Sequence, residues 1–398
     1  MDKQQSLFSH QRAVNRGNGT ARSVLVVGAG VSGLTSALCL IRRGFDVTIV
    51  ADRFAPRVTS VVAGALWEWP PAVCGHHQDQ VSLGRSKSWS ATSYEIFTEL
   101  AGDTATGVFL RPATFYFKRP IDDDPVQSQK MAELRGTVRQ FRHDAALIAT
   151  NGVNPALGLC DAYCHLAPMI DTDVYMQWLE GEVRKSRCRV IERKLNGLLR
   201  EQEDLLVREY DVGAIVNCTG LGAGELAGDR VYPLRGALIR VRNDGKRMPR
   251  VTQAHCVSHD GSANERGFIF IVPRGDDMLV IGGLAEPDVA DLDIGLHNYE
   301  PIRVMYERCR EFMPAIEDAE IDAAEPVRVG LRPVRPRNVR LETETRTRIV
   351  HNYAHGGSGV TLSWGCALEV VERVENLLSA KNASTAPLRR SVESGPTA

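Results

Sequence analysis

The sequence predicts an α/β protein in which a buried parallel sheet is joined to a second, mostly antiparallel sheet. Three observations carry that expectation. Residues 24–52, VLVVGAGVSGLTSALCLIRRGFDVTIVAD, run strand, glycine turn, helix, strand and acid in that order. Residues 213–224, GAIVNCTGLGAG, are another apolar run that ends in a glycine turn. Residues 238–242, 268–272 and 278–282 are short β-branched or aromatic runs suited to a second sheet.

In the first unit, residues 24–27 are a β-branched run of the kind buried on both faces. Gly28, Gly30 and Gly33 stand in the G-x-G-x-x-G spacing. Gly28 suits the tight turn, Gly30 lets a pyrophosphate approach the backbone, and Gly33 lets the helix pack closely on the strands. Val31 and Ser32 open that helix, whose N–H groups and dipole favour phosphate. Val31, Leu34, Leu38 and Ile41 recur at helical spacing, and Gly44 stands where the helix should end. A second strand over 46–50 leads to Asp52, an acid placed to hold two ribose hydroxyls.

Residues 53–60 read as a loop with two positive charges, followed by a Gly and Ala stretch against which a flat ring could lie, or which could be a packed turn. A helix is expected over 88–100 and a strand over 108–118. Residues 120–157 read as irregular first and weakly helical later. A helix over 173–184 and strands over 188–192 and 194–199 follow. The turn after residue 217 is not a second nucleotide fingerprint, because the third glycine position is Ala227. An amphipathic helix over 299–312 ends at Met313 and Pro314. Residues 329–336, VGLRPVRP, set two arginines in a Pro-stiffened segment, and the arginine fork suits a planar carboxylate. A short strand over 349–352, the glycine turn YAHGGSGVT and a helix over 362–378 complete the fold. His355 in that turn is expected to make a structural hydrogen bond rather than act as a base.

The 398 residues allow two or three domains with sizeable cores. With 48 basic and 49 acidic side chains the net charge is −1, so nothing in the balance points to nucleic acid or an anionic membrane. No apolar run is long enough to span a bilayer. Nine scattered cysteines suit a reducing compartment, hence the cytoplasm, rather than a disulfide framework. Cys160 and Cys164 lack the further ligands a metal would need, so no metal site is expected. Residues 1–22 read as a disordered tail, with a basic organellar transit peptide as the alternative, and residues 380–398 as a mobile tail.

Taken together, VVGAGVSGL, VADRFAP, AGALW, VNCTG, GLRPVRP and HNYAHGGSGVTLSWGCALE resemble the D-amino-acid oxidase family, over about residues 24–378. The resemblance implies a discontinuous Rossmann-like FAD-binding domain (23–75, 155–235 and 328–379) with an inserted substrate domain (76–154 and 236–327). It implies a small amino-acid or amine substrate, oxidation of a carbon–nitrogen bond with FAD, and reoxidation by molecular oxygen to peroxide; a homodimer is left open. Gly28, Gly30 and Gly33 match the pyrophosphate turn, Asp52 the ribose acid and Arg53 its neighbour. Thr59, Ser60, Gly64, Ala65 and Leu66 match the loop beside diphosphate and flavin, and Lys194 and Leu195 the backbone near adenine. Gly356, Gly357, Ser358, Gly359, Val360 and Thr361 match the turn along the flavin ring. Arg332 matches the arginine that clamps the substrate carboxylate.

Departures from the family pattern concern the substrate. Phe270 stands where a tyrosine hydroxyl usually helps to bind the carboxylate. Ser358 could donate a replacement hydrogen bond, and Glu68 puts a carboxylate beside the flavin where a neutral polar residue is common. A pocket role for Glu68 would disfavour acidic substrates; the alternative is that it turns outward or pairs with an arginine such as Arg53 or Arg57. The leading expectation is therefore a D-amino-acid or related amine oxidase. A specialised amine or imino-acid oxidase and a flavin-binding protein without turnover are the alternatives.

Overall fold

The computed structural model describes residues 22–71, 77–186, 188–257 and 268–385, with side chains to residue 380. In chain order the first elements are β1 (Ser23–Val27), α1 (Val31–Arg42), β2 (Asp46–Ala51), α2 (Gln80–Leu100), β3 (Val108–Phe117), α3 (Pro125–Thr137) and β4 (Arg142–His143). Next come α4 (Leu147–Thr150), β5 (Asp161–Ile170), α5 (Thr172–Lys185), β6 (Arg189–Glu192), α6 (Glu203–Tyr210), β7 (Ala214–Asn217) and α7 (Ala223–Leu226). The rest are β8 (Tyr232–Arg242), β9 (Ala254–Val257), β10 (Ile269–Arg274), β11 (Met278–Gly282), β12 (Glu286–Pro287), α8 (Glu300–Phe312), β13 (Val327–Val334), β14 (Arg340–Thr343), β15 (Ile349–Tyr353) and α9 (Gly359–Thr385).

The smaller sheet has the order β14-β15-β7-β1-β2-β6, parallel except for the β14–β15 hairpin. Because side chains alternate along a strand, β1 feeds two cores at once. Val24 and Val26 enter the cluster shared with α1, α5 and α9, while Leu25 and Val27 enter the one beneath α6. This is why the run is apolar at every position rather than alternating.

The larger sheet runs β4-β5-β3-β9-β10-β11-β8-β13, with β12 beside the start of β8, and only β3–β9 is parallel. Its two faces again come from alternation. Ile269 and Ile271 pack with α8 through Ile302, Met305, Cys309 and Phe312, a stripe at helical spacing. Phe270 and Val272 lie on the other face with Leu66, Trp67, Trp69, Phe115 and Tyr163. Truncating Phe312, which is fully buried at the end of the stripe, would cost about 3–5 kcal/mol.

Several expectations are corrected. Residues 194–199 form no strand; Leu195 and Leu199 instead plug the core below β2 and β7. The longer helix between 120 and 157, α3, comes early, because Asp124 caps it by accepting from Val126 N–H (2.9 Å) and Gln127 N–H (3.1 Å) with Pro125 behind it; only the short α4 lies in the later part. α2 starts at Gln80, eight residues before the expected start at residue 88, because the Asp79 carboxylate caps Ser82 N–H at 2.7 Å. The Pro-stiffened segment is the strand β13, paired with β8 along its length. α9 runs to Thr385, past the expected boundary at 380; the remaining tail residues lie outside those described.

Sheet membership also divides the chain differently from the expected segments. β5, unforeseen, pairs with β3 from Val108↔Ile170 to Phe117↔Asp161 and so belongs to the larger sheet. α2, expected in the inserted part, packs Trp89, Ile96, Phe97 and Leu100 into the core of the smaller one.

Candidate functional site

Four segments that are distant in sequence converge at the C-terminal ends of the parallel strands. The turn after β1 is closed sterically: Gly28 has φ +109°, and a Cβ there would lie 2.5 Å from Cys218 O. A Cβ on Gly33 would lie 2.0 Å from Gly28 O. Gly30 serves differently. A Cβ there would meet only Ser60 Oγ, at 3.2 Å, so Gly30 keeps open the space before the helix.

That helix start is built to receive an anion. The N-cap, Gly30, brings no side chain of its own to the helix end, and no acid stands in the first turn of α1. Val31 N–H donates to Ser60 Oγ (2.9 Å), which draws the helical turn Thr59–Val62 against it. Gly359 begins α9 within 3.9 Å of Val31 Cγ1, measured from its would-be Cβ. The residues between, Gly356–Ser358, form a tight helical turn with Gly356 at φ +56° and Ala354 at φ +64°. Gly357 of this turn is exposed, whereas Ser358, Val360 and Thr361 are buried.

His355 spans the junction. Its Nε2 hydrogen-bonds Asn352 Oδ1 at 3.0 Å, and Nδ1 lies 3.4 Å from Ser32 Oγ. Burial pulls its pKa down to about 4, so it is a neutral structural link, as expected from sequence.

At the other end, Asp52 and Arg53 follow β2 while Arg193 and Lys194 follow β6. These strands are parallel neighbours, and Arg193 N–H donates to Ala51 O (2.8 Å). Asp52, Arg53 and Lys194 are exposed there, whereas Leu195 turns into the core. The helix start free of acids, the glycine cradle and an exposed acid beyond the second strand fit an extended dinucleotide.

The facing wall comes from the larger sheet. The Phe270 ring lies against Gly64, where a Cβ would come within 2.7 Å of Cζ. Arg332 shares the Phe270 face, since Arg328, Gly330 and Arg332 pair with Leu238, Gly236 and Leu234, and Leu238 pairs through Gly282 to Phe270. Its guanidinium folds back over Gly236, 2.2–2.4 Å from where a Cβ would stand, and Nη1 donates to Leu284 O (3.1 Å). Among the described residues no carboxylate lies within ion-pair distance of Arg332. The other arginine of the motif, Arg335, is committed to Asp229 at 2.8 Å.

Glu68 is half-buried, and the expected alternative of pairing with Arg53 or Arg57 is overturned. Arg53 lies 3.6 Å from Asp52, and Arg57 lies 2.8 Å from Glu192. The field of Glu68 falls instead on Lys130, Tyr163 and Cys256. Lys130 on α3 was not foreseen. It is buried, its Nζ donates to Pro71 O (3.2 Å), and burial lowers its pKa while Glu68 counters the fall. Arg274 was also unforeseen, because an arginine at a strand end gives no sign that it will be buried. No cluster of His, Cys, Asp or Glu suited to a metal occurs among the described residues, and their cysteines are free thiols. No described helix is long and apolar enough to cross a membrane.

A model of the FAD dependent oxidoreductase family matches residues 23–373. The chain is 34% identical over 364 residues to a D-amino-acid oxidase of Rubrobacter xylanophilus, covering 89% of this chain and 96% of that protein. It is 33% identical over 351 residues to a D-amino-acid oxidase of Streptomyces coelicolor, covering 87% and 94%. The fold is similar to a glycine oxidase from Geobacillus kaustophilus, with TM-score 0.69, 18% identity and coverage of 89% and 94%.

Proposed function

The chain belongs to the FAD-dependent oxidoreductase family, and on that premise we propose that it oxidises the carbon–nitrogen bond of a D-amino acid or a related carboxylated amine. The single observation that carries this reading is Arg332: a half-buried guanidinium, unpaired among the described residues, on the sheet face that meets the cofactor loop. A fixed fork of this kind accepts a planar carboxylate through two parallel hydrogen bonds. FAD, when bound, supplies the acceptor for the hydride leaving the amine-bearing carbon, and molecular oxygen takes up the electrons to give hydrogen peroxide.

The chain's own residues align the substrate rather than move its protons. Arg332 orients the carboxylate, Phe270 supplies a flat apolar wall, and the loop at Gly64 closes against that wall. His355 stays neutral and is held by Asn352, so it is no base. Gly28, Gly30, Gly33 and the first turn of α1 would hold the diphosphate, and Asp52 the ribose.

A second reading, a specialised amine or imino-acid oxidase, is favoured by one observation. Phe270 gives no hydroxyl to the carboxylate, while the half-buried Glu68 carboxylate acts on the buried Lys130 amine. Anaerobic bleaching of the bound flavin by D-amino acids, glycine, N-methyl amino acids and cyclic imino acids tests both readings. Bleaching by common D-amino acids with peroxide formed in air supports the first. Bleaching only by N-substituted or cyclic compounds supports the second, and no bleaching by any of them refutes both.

A further inference from the structure

Arg274 ends β10 on the face of Phe270 and Val272, and it is only 4% exposed. It makes its bonds to a different part of the fold. Nη1 donates to Thr172 Oγ1 (2.6 Å), and Nη2 donates to Ala63 O (2.9 Å) and Gly64 O (3.0 Å). Thr172, the first residue of α5, donates its own hydroxyl to Val61 O (2.6 Å), and Ile170 N–H donates to Ala65 O (3.0 Å). The carbonyls of residues 61, 63, 64 and 65 are therefore all held from the side of β10, β5 and α5.

Two consequences follow from backbone geometry. In a planar trans peptide the N–H points away from the C=O. With the carbonyls of Ala63 and Gly64 fixed on Arg274, the N–H groups of Gly64 and Ala65 are turned to the opposite side. Ala65 is also held at φ +51°, a conformation that residues with a Cβ seldom adopt, so this turn is imposed by its anchors rather than chosen locally.

The course of the loop says what lies on that opposite side. It starts with Ser60 bound to the helix N-terminus of the nucleotide turn and ends with Gly64 against Phe270. A flavin ring, which joins the diphosphate to the substrate, has to run alongside it. The buried guanidinium has no carboxylate within ion-pair distance among the described residues, and its Nε finds no partner there. Burial lowers its pKa to about 10, which leaves it a cation at neutral pH.

We propose that Arg274 is a positioning residue for the flavin, fixing the loop at residues 61–65 and placing a buried positive charge behind the Gly64 and Ala65 N–H groups, which donate to the electron-rich edge of the ring. This rests on the FAD assignment, not on the identity of the substrate. The charge makes the ring easier to reduce, and the anchored loop tightens FAD binding.

The test uses Arg274→Met, Arg274→Lys and Thr172→Val, each saturated with FAD and read without substrate. Arg274→Met is expected to raise the FAD dissociation constant about tenfold, to shift the visible flavin band and to lower the midpoint potential measured against a reference dye. Arg274→Lys, which keeps the charge but not the fork, restores the potential more than the affinity. A folded Met variant with unchanged affinity, band and potential overturns the proposal. Should that variant not fold, Thr172→Val decides. It removes one anchor and keeps the charge, so weaker FAD binding with unchanged potential supports the proposal, and unchanged affinity overturns it. A wild-type protein that binds FAD but is bleached by no amine would refute the proposed reaction and leave this test intact.

Discussion

Replacing Arg332 by lysine tests the carboxylate clamp with little change in formal charge. In the structure the guanidinium reaches Leu284 O through Nη1 at 3.1 Å while lying flat over Gly236, which holds its plane against the sheet. A lysine ammonium is a point charge on a flexible stem; it cannot bond Leu284 O and also present two parallel donors. Loss of one partner of a desolvated, hydrogen-bonded charge pair costs about 2–5 kcal/mol. Because the charge survives, the lower part of that range applies, about 2–3 kcal/mol, or roughly a 30- to 150-fold weaker substrate. The assay is anaerobic titration of the flavin spectrum with a carboxylated amine, beside titration of the apoprotein with FAD. FAD affinity should stay within about twofold, since Arg332 stands on the wall formed by the larger sheet. A substrate dissociation constant unchanged by Arg332→Lys would show that the carboxylate is bound elsewhere.

Three further outcomes follow from the site. The proposed FAD is expected to be held without a covalent bond, so acid precipitation should leave a colourless pellet and a yellow supernatant; colour retained in the pellet would reveal a covalent link. Glu68→Gln removes a carboxylate that would repel acidic side chains and should raise kcat/KM for acidic relative to small apolar substrates about tenfold, whereas an unchanged substrate ranking would place Glu68 in the scaffold. At Asp229, burial raises the carboxyl pKa, but hydrogen bonds from Tyr353 and Arg335 and the charges of Arg335 and Arg340 outweigh it, so the folded value lies below the unfolded one. Its stabilisation is therefore present above the unfolded carboxyl value and is lost as pH falls through the folded one. Asp229→Asn should cost about 1–3 kcal/mol at neutral pH and progressively less in acid, as followed by urea midpoints across pH; a penalty independent of pH would contradict the linkage.

The sequence alone was enough for the elements in which local sterics or a long run of one periodicity leaves a single choice. The turn at Gly28, Gly30 and Gly33, the helix α1, the strand after it and the acid at Asp52 are legible because each residue type answers a need met within a few positions of the chain. The same holds for α8, whose stripe of Ile302, Met305, Cys309 and Phe312 repeats at the helical period. Arg332 was legible only through its motif. Tertiary structure alone separated it from Arg335, because only the fold puts Asp229 beside one arginine and not the other. β5 escaped notice because Asp161, His165 and Pro168 interrupt its apolar pattern, and their places are set by pairing with β3 rather than by local preference. Lys130 and Arg274 were hidden for a related reason. A charged side chain is ordinarily read as solvated, and its burial depends on carbonyls supplied from far along the chain: Pro71 for Lys130, and Ala63 and Gly64 for Arg274. Glu68 shows the same limit from the other side. Its position beside AGALW was visible, but the partners that set its charge environment, Lys130 and Tyr163, come together only when α3 and β5 fold over it.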